Sequence, residues 1–286
     1  MYVLIVGCGY VGLELGRRLT PAHRVTGVRR SDEGLQAVSD AGLEAVHADA
    51  TNPTDLLTLP SVDVVVYAAS AGPDSSARAT YVEGLETLLD HFGDRRVRPD
   101  RFVYTSSTGV YGDHDGDWVD EETPLDPTTE RETILVEAER VAREHGNPGI
   151  ARTIVRFGGL YGPGRSPVER YLDGPVSPGY TNFVHRDDAA GAISHLLTQD
   201  VGRDAIVNVV DDEPQSRPEL ARRFAEMVEA EPPAVVPLAE REVAQGRRER
   251  LAANKRVSND RLHALGYEFR YPTVVDGVRY GLDAEP

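Results

Sequence analysis

Short apolar stretches alternate with amphipathic ones along most of the chain. Tyr2–Val6 is apolar and rich in β-branched residues, which is typical of a buried strand in a parallel sheet. Leu13, Leu15 and Leu19 then follow helical spacing, and Pro21 ends this first helix. Because the same alternation recurs to about residue 210, the pattern predicts an α/β fold built on a doubly wound parallel sheet.

The remaining predicted elements are given by residue number. Further strands are predicted at 23–28, 44–48, 62–67, 101–105, 151–156 and 205–210, and helices at 35–41, 79–92, 129–144 and 187–197. Residues 158–180 carry glycine and proline densely, and such a long irregular stretch is typical of a lid or a substrate loop. The pattern therefore predicts a nucleotide-binding domain at 1–157, continued by 181–210. A small C-terminal α/β substrate lobe is predicted from 158–180 and 211–286.

A glycine-rich turn with the pattern G-x-G-x-x-G lies between the first strand and the first helix. In this context Gly7 permits a tight turn, Gly9 lets a pyrophosphate approach the backbone, and Gly12 lets strand and helix pack closely. The N-terminus of the helix offers N–H groups and the positive end of its dipole to phosphates. We therefore predict a Rossmann-like dinucleotide site. Its phosphate-binding turn comprises Gly7, Cys8, Gly9, Tyr10, Val11 and Gly12.

The end of the second predicted strand favours NADP over NAD. A chain that binds NAD usually presents a carboxylate to the ribose 2′-hydroxyl at this point. This chain has Arg29, Arg30 and Ser31 there instead. Guanidinium groups bind phosphate bidentately, so the pattern favours the 2′-phosphate of NADP. Two solvated surface arginines would give the same pattern, and NAD is therefore the alternative.

Composition narrows the class of protein and its surroundings. The net charge of −16 argues against a nucleic-acid partner, and no apolar stretch is long enough for a signal peptide or a membrane span. The single cysteine, Cys8, fits a reducing cytoplasm, and packing explains it better than redox chemistry.

Lys255 is the only lysine. Such an acidic, arginine-rich chain resembles proteins of salt-loving microbes, although a GC-rich genome would also favour arginine. No metal site is predicted.

Four further segments resemble those of the extended short-chain dehydrogenases, the NAD-dependent epimerase/dehydratase superfamily. Phe102–Asp113 is similar to the S-S-x-x-V-Y-G-D strand end of that family, and Arg156–Gly164 to its R-x-x-x-x-Y-G-P-G segment. Asn182–Asp188 resembles x-x-I-H-V-D-D, and Asn208–Pro214 resembles N-x-x-D-x-x-P. With the glycine turn, the resemblance covers the chain from its first residue to about residue 218. It implies an enzyme that acts on a small polar or sugar-like substrate.

The resemblance also implies roles for individual residues. Asp49 would lie at the adenine, and Ala68 and Ala69 would line the nicotinamide side. Ser107 lies where the family has its catalytic serine or threonine, whose hydroxyl would hydrogen-bond a substrate oxygen. The cofactor contacts implied at these strand ends are Asp49, Ala50, Ala68, Ala69, Ser70, Thr105 and Ser106.

The family's catalytic Y-x-x-x-K pair is missing from the predicted helix 129–144. One alignment places Arg131 in the tyrosine position and Leu135 in the lysine position, and a shift by two residues places Thr129 and Thr133 there. Arginine stays protonated and is a poor general acid or base. The chain therefore resembles the atypical members, which keep the cofactor site and lack the catalytic pair.

Three other residues are candidates for the proton transfer, because the family turns their segments toward the cofactor cleft. His185 titrates near neutrality without help, although a hydrogen-bonded structural histidine is the commoner interpretation. Tyr111 and Tyr161 are also more often packing residues. Asp187 and Asp188 are expected to cap the next helix. The predicted catalytic residues are Ser107, Tyr111, Arg131 and His185.

Two classes of function fit these observations. The first is an NADP(H)-binding oxidoreductase or epimerase with a non-standard acid/base, which would depend on Ser107 for turnover. The second is a non-catalytic nicotinamide-dinucleotide-binding protein that senses redox state. A nucleotide-sugar dehydrogenase is a third hypothesis, because residues 7–12 also resemble that family. Those enzymes use a catalytic cysteine far along the chain, however, and Cys8 is the only one here. The resemblance also implies a homodimer through helices 79–92 and 129–144.

The acidic composition predicts that salt stabilises the fold. Carboxylate repulsion opposes the compact state, and dissolved ions screen it. We expect the melting temperature to rise as potassium chloride is increased to molar concentration, measured by thermal unfolding at fixed pH. A melting temperature that does not respond to molar potassium chloride would contradict the salt-adapted interpretation.

Overall fold

A computed structural model describes residues 1–72, 76–146 and 149–284 of the chain. The strands are β1 (Tyr2–Val6), β2 (Arg24–Arg29), β3 (Glu44–His47), β4 (Val64–Tyr67), β5 (Arg101–Ser107), β6 (Trp118–Val119), β7 (Ala151–Phe157), β8 (Gly159–Tyr161), β9 (Tyr180–Thr181), β10 (Phe183–His185), β11 (Ala205–Val209), β12 (Gln215–Ser216) and β13 (Arg256–Val257). The helices are α1 (Tyr10–Leu19), α2 (Asp32–Asp40), α3 (Pro53–Leu56), α4 (Gly84–Gly93), α5 (Glu130–Glu144), α6 (Pro167–Leu172), α7 (Arg186–Thr198), α8 (Arg217–Met227), α9 (Gln245–Ala252), α10 (Asp260–Ala264) and α11 (Val274–Ala284). A π-helical segment, Ala79–Glu83, continues directly into α4.

Seven strands form one sheet in the order β11-β7-β5-β4-β1-β2-β3. Neighbouring strands from β3 to β5 pair in parallel, for example Val6 with Val28 on one side and with Tyr67 on the other. The chain runs outward from β1 to β3 and then returns to place β4 on the other side of β1. This confirms the predicted doubly wound α/β fold, whose ligand crevice lies at the carboxyl ends of the strands on both sides of such a reversal.

The chain divides into two compact units. The first comprises residues 1–107, 130–156 and 190–207, and the second comprises residues 108–129, 157–189 and those from 208 onward. The predicted boundaries assigned 108–129 and 181–189 to the nucleotide-binding domain, whereas the structure groups both with the second unit. Pairing between strands that are far apart in the sequence accounts for this grouping: β6 pairs with β13, and β10 pairs with β8. Sequence periodicity cannot detect such distant pairing.

Each unit has its own apolar core. In the first unit Val64–Tyr67 is buried along its whole length, because a central strand has helices on both faces. Its core also contains Leu4, Leu85, Phe102 and Ile134, which come from two strands and two helices. The core of the second unit contains Tyr161, Phe183, Leu220, Phe224 and Val274.

Two local expectations were wrong. The stretch 158–180, expected to be irregular, contains β8, α6 and the start of β9. Ser166 caps α6 by accepting a hydrogen bond from the Val168 amide, and Pro167 occupies the first turn. The charge pattern of residues 247–255 predicts a solvated helix face, with Lys255 as its last residue. Lys255 is instead buried beyond the end of α9, and its Nζ donates to the Gly112 carbonyl at 2.8 Å. None of the helices described is long and apolar enough to span a bilayer.

Arg101 connects three parts of the first unit from the start of β5. Its guanidinium is 2% exposed and donates to the carbonyls of Leu196 and Val201 at 2.7 and 2.6 Å. It also donates to Thr153 Oγ1 at 2.9 Å. A buried guanidinium with several acceptors satisfies carbonyl groups that would otherwise lose hydrogen bonds on burial.

Removal of this guanidinium should destabilise the first unit strongly. We expect Arg101→Met to lower the free energy of unfolding by about 2–4 kcal/mol, because it leaves buried acceptors unpaired. Arg203→Met is the matched control, since Arg203 is 42% exposed and forms its ion pair with the exposed Asp200. That variant should change stability by less than about 0.5 kcal/mol. Urea unfolding measures both, and similar losses in the two variants would contradict the assignment.

Candidate functional site

The glycine turn brings the ends of two central strands into close contact. Gly7 has φ +79°, and a Cβ there would lie 2.3 Å from the backbone of Ala69, which follows β4. Its position therefore requires glycine for both conformation and space. A Cβ on Gly12 would lie 3.0 Å from Ile5 Cγ2, which explains the close packing of α1 on β1. This is the geometry that the sequence pattern predicts for a phosphate-binding turn.

Cys8 fills the space beneath the turn. Its side chain is buried, and a Cβ on Gly27 would lie 2.8 Å from the Cys8 sulfur. Burial raises the pKa of Cys8 to about 12, although the charges of Arg29 and Arg17 oppose that rise. The thiol is therefore neutral, and packing is the role that its position supports.

The N-terminus of α1 has the properties of an anion site. Within the described chain, no side chain caps this helix and no acidic residue lies in its first turn. Backbone N–H groups of a first helical turn have no partner in the helix itself, and the dipole adds positive potential. Val11 and Gly12 lie in this turn and are buried, whereas Tyr10 is half-buried.

Arg29 extends from the end of β2 across this turn. A Cβ on Gly9 would lie 2.6 Å from Arg29 Nη1, and a Cβ on Gly34 would lie 2.5 Å from Arg29 Nε. The side chain therefore lies between the start of α1 and the first turn of α2. Across residues 1–72, 76–146 and 149–284, Arg29 forms no ion pair, in a chain with a net charge of −16. A guanidinium held beside two helix N-termini is suited to bind phosphate.

Four other residues predicted to contact the cofactor lie near the ends of β2 and β3, namely Arg30, Ser31, Asp49 and Ala50. Arg30 is exposed, and its Nη1 lies 3.9 Å from Asp49 Oδ2. Ser31 caps α2, because its Oγ accepts from the Gly34 amide at 3.2 Å. Asp49 accepts from the Thr51 amide and hydroxyl, and these bonds lower its pKa although burial opposes them. Ala50, next along the chain, is half-buried.

The ends of β4 and β5 lie side by side, since Tyr67 pairs with Tyr104. Ala68 and Ala69 are half-buried and Ser70 is exposed, so small side chains line this edge. Thr105 Oγ1 donates to the Tyr67 carbonyl at 3.2 Å, which ties the two strand ends together.

Ser106, predicted to contact the cofactor, belongs instead to a buried ionic group. Its hydroxyl donates to Glu139 Oε1 at 2.6 Å. Arg156 donates to the same carboxylate through Nε at 2.9 Å and Nη2 at 2.7 Å. Both charged side chains are less than 5% exposed. Because a buried charge needs a partner, this pair holds α5 against β5 and β7. Nothing in the local sequence pattern around Glu139 indicates its burial or its partners.

The helix that carries the catalytic pair in the family has no such pair here. Arg131 is half-buried near the start of α5, whereas Leu135 is 5% exposed and packs inside. Ser107 is half-buried at the end of β5 in the same unit. The chain's only lysine, Lys255, belongs to the second unit. The described first unit therefore contains no tyrosine–lysine pair.

His185 lies in the core of the second unit. Its ring stacks on Tyr271 with centroids 4.1 Å apart and meets Tyr161 edge-on at 5.1 Å. Its Nδ1 accepts from the Asp187 amide at 3.1 Å. Burial lowers the pKa of His185, although the carboxylates of Asp187 and Asp188 oppose that shift. This environment keeps the imidazole neutral and is that of a structural histidine.

The tyrosine candidates are also buried and hydrogen-bonded. Tyr111 is 2% exposed, and its hydroxyl donates to Asn208 Oδ1 at 2.8 Å. The Tyr161 hydroxyl donates to the Thr273 carbonyl at 3.3 Å, and burial raises its pKa. These positions favour packing over proton transfer for both residues.

The expectation that Asp188 caps the next helix was wrong. Asp188 is 1% exposed, and its carboxylate accepts from the Tyr267 hydroxyl and from the amides of Arg270 and Tyr271. It therefore anchors the segment that leads to α11. Among the described residues, no group of three histidine, cysteine or acidic side chains is arranged to hold a metal ion.

A parallel sheet with a glycine turn at its point of reversal defines a Rossmann-type nucleotide-binding protein. Residues 7–200 match the model of the NAD(P)H-binding family. The chain belongs to this NAD(P)H-binding family, within the NAD-dependent epimerase/dehydratase superfamily.

Relatives of this chain match it over nearly its whole length. Protein YeeZ of Escherichia coli K12 is 30% identical over 279 residues, which is 94% of this chain and 96% of that protein. A Methylobacillus flagellatus structure described as an NAD-dependent epimerase/dehydratase is 32% identical with a TM-score of 0.80, covering 99% of this chain and 98% of its own. Human epimerase family protein SDR39U1, solved with NADPH, shares the fold at 20% identity with a TM-score of 0.82, covering 99% and 100%.

The residues present fit a nicotinamide dinucleotide. The absence of side chains at Gly7 and Gly9 lets the backbone of Ala69 and the guanidinium of Arg29 approach the start of α1. Arg29 supplies positive charge at the same place. The bound cofactor would supply hydride transfer, and the polypeptide would supply binding, orientation and a proton.

The buried imidazole predicts a loss of stability in acid. The pKa of His185 is lowered in the folded protein, whereas an unfolded histidine titrates at about 6.5. The stabilisation that the neutral imidazole gives to the folded protein is therefore complete above about pH 6.5. It is lost as the pH falls toward the folded pKa, because the histidine of the unfolded chain takes up a proton that the folded chain does not. We expect the wild-type melting temperature to fall more steeply from about pH 7 to pH 5 than that of His185→Gln.

Thermal unfolding at constant salt measures this difference. His47→Gln is the control, since it removes an exposed imidazole and should keep the wild-type slope. Equal slopes for wild type and His185→Gln would contradict the buried, neutral assignment.

Proposed function

We propose that this protein is an NADP(H)-dependent oxidoreductase or epimerase that acts on a small polar or sugar-like substrate without the usual tyrosine–lysine pair. The observation that carries the cofactor choice is the position of Arg29. Its guanidinium occupies the space where a Cβ on Gly9 or on Gly34 would lie, and it forms no ion pair in the described chain. A 2′-phosphate at the end of β2 would supply the missing counter-charge.

A second arginine, Arg30, also lies near the end of β2. Arg30 is exposed and lies beside the half-buried Asp49, so its charge is partly available near the same strand ends. Asp32 and Glu33 occupy the first turn of α2. The helix dipole stabilises their carboxylates, but these carboxylates repel a bound anion. The two guanidinium groups of Arg29 and Arg30 offset these two carboxylates.

Ser107 is the polar residue proposed to bind the substrate. It lies at the end of β5 and is partly open to solvent, unlike its neighbour Ser106. Its hydroxyl would orient a substrate oxygen.

A homodimer through α4 and α5 is also proposed, although the exposed positions Asp90, Glu130, Thr133 and Arg140 on these helices are polar.

A redox-sensing protein without turnover is the second candidate. The absence of a lysine from α5 favours it, and Leu135, which one alignment places in the lysine position, is buried and cannot bind the nicotinamide ribose by charge. Both candidates require a bound nicotinamide dinucleotide and differ in the need for a substrate.

Replacement of Arg29 should discriminate between the two dinucleotides. We expect Arg29→Ala to weaken NADPH binding about tenfold or more, because charge-assisted hydrogen bonds contribute about 1.5–3 kcal/mol. NADH binding should change much less, since NADH has no 2′-phosphate. Titrations that follow cofactor fluorescence, in salt that keeps the chain folded, measure both constants.

Arg24→Ala is the matched control. Arg24 lies at the opposite end of the same strand and pairs with Glu44, so both affinities should stay unchanged. Equal weakening of NADPH and NADH by Arg29→Ala would contradict the role at the 2′-phosphate. Failure of the wild type to bind either dinucleotide would contradict the cofactor site as a whole.

A further inference from the structure

The π-helical segment Ala79–Glu83 is an irregular element in the first unit with a defined cause. The Gly84 amide donates to the Ala79 carbonyl, five residues earlier, instead of to Thr80. The Thr80 carbonyl accepts a hydrogen bond from the Tyr67 hydroxyl of β4. A buried residue of the central strand therefore holds the segment in this conformation. Single π-turns inside helices occur often at functional sites.

Tyr81 lies in the middle of this segment, and its hydroxyl reaches the end of β4. The Ala71 amide donates to Tyr81 Oη at 3.3 Å. Ala71 directly follows the small residues Ala68, Ala69 and Ser70, which line the crevice between β1 and β4. The hydroxyl is therefore at the carboxyl edge of the sheet, where this fold binds its ligands.

Tyr81 also differs from the other tyrosines of this region. Tyr67 and Tyr104 are each 1% exposed, and burial raises the pKa of both. Tyr81 is half-buried, so part of its side chain is open to solvent. Its oxygen accepts from Ala71, and no residue in the described ranges accepts its proton. A phenol in this state can donate that proton outward.

The elements around Tyr81 place it beside the helix that lacks the catalytic pair. The π-helical segment packs against α5. The charged and titratable groups nearby are Tyr67 on β4, Tyr104 on β5, Glu139 on α5 and the exposed pair of Arg78 with Glu137. Glu139 is already paired with Arg156 and Ser106, which leaves Tyr81 as the proton-bearing group open to the crevice in this set.

We propose that Tyr81 is the catalytic proton donor of this protein and replaces the tyrosine missing from α5. The proposal rests on the proposed function, since it requires a nicotinamide dinucleotide in the crevice. A substrate carbonyl that receives a hydride at carbon needs one proton at oxygen to become an alcohol. Tyr81 gives that proton, becomes a phenolate and regains a proton from water. In the oxidative direction the phenolate accepts the alcohol proton while the hydride leaves for NADP⁺.

The test measures the ionisation of Tyr81 directly and needs no substrate. Tyrosinate absorbance is titrated from about pH 8 to pH 10.5, around the ordinary tyrosine pKa of about 10, with and without NADP⁺. The oxidised nicotinamide carries a positive charge, and such a charge within a few ångströms lowers the pKa of a phenol by about one unit or more. We expect NADP⁺ to shift one titrating tyrosine in the wild type and none in Tyr81→Phe.

Tyr2→Phe is the matched control. The Tyr2 hydroxyl is bonded to Thr26 Oγ1 at the opposite end of the sheet, so this variant should keep the NADP⁺-dependent shift. The affinity for NADP⁺ is measured in the same samples by calorimetry. Binding without a Tyr81-dependent shift would overturn the role of Tyr81 and leave the proposed cofactor intact. Absence of binding by the folded wild type would overturn the proposed function itself.

Discussion

The contact of Gly7 with the backbone after β4 is the constraint on which the site depends. A side chain at this position would collide with Ala69 and would also force an unfavourable φ. Because the contact is possible, β1 and β4 end at the same level and α1 begins directly above them. The crevice, the phosphate-binding turn and the edge lined by Ala68–Ser70 all follow from that approach. The second glycine, Gly9, then leaves its open side to the guanidinium of Arg29.

The loss of the catalytic pair has not left α5 loosely attached. Glu139 and Arg156 form a buried ion pair that Ser106 completes with a hydrogen bond. Removing one member of such a pair is costly, because the other charge stays buried without a partner. The helix therefore keeps its position on the sheet, although it carries neither the tyrosine nor the lysine of the family's catalytic pair.

Periodicity predicted the sheet and the glycine turn well, because both depend on local patterns. Tyr2–Val6 is rich in β-branched apolar residues, and Gly7–Gly12 has glycine at the spacing of a phosphate-binding turn. Few other folds require this combination of residue types. It failed for Asp188 and Lys255, whose partners lie far away in the sequence. Neither burial nor the identity of a distant partner can be deduced from neighbouring residues. Tyr81 was missed for a related reason, since a π-turn held by Tyr67 has no signal in hydrophobic spacing.

The position of Cys8 has a practical consequence. It is the only thiol of the chain, it lies under the phosphate-binding turn, and its pKa is raised to about 12. Thiolates, not thiols, react with alkylating reagents and peroxides. The buried, neutral thiol of the folded nucleotide site is therefore protected from oxidation. A thiol-directed dye would label only molecules in which this part of the fold has opened and exposed Cys8. The rate of labelling would therefore report how often the nucleotide site opens.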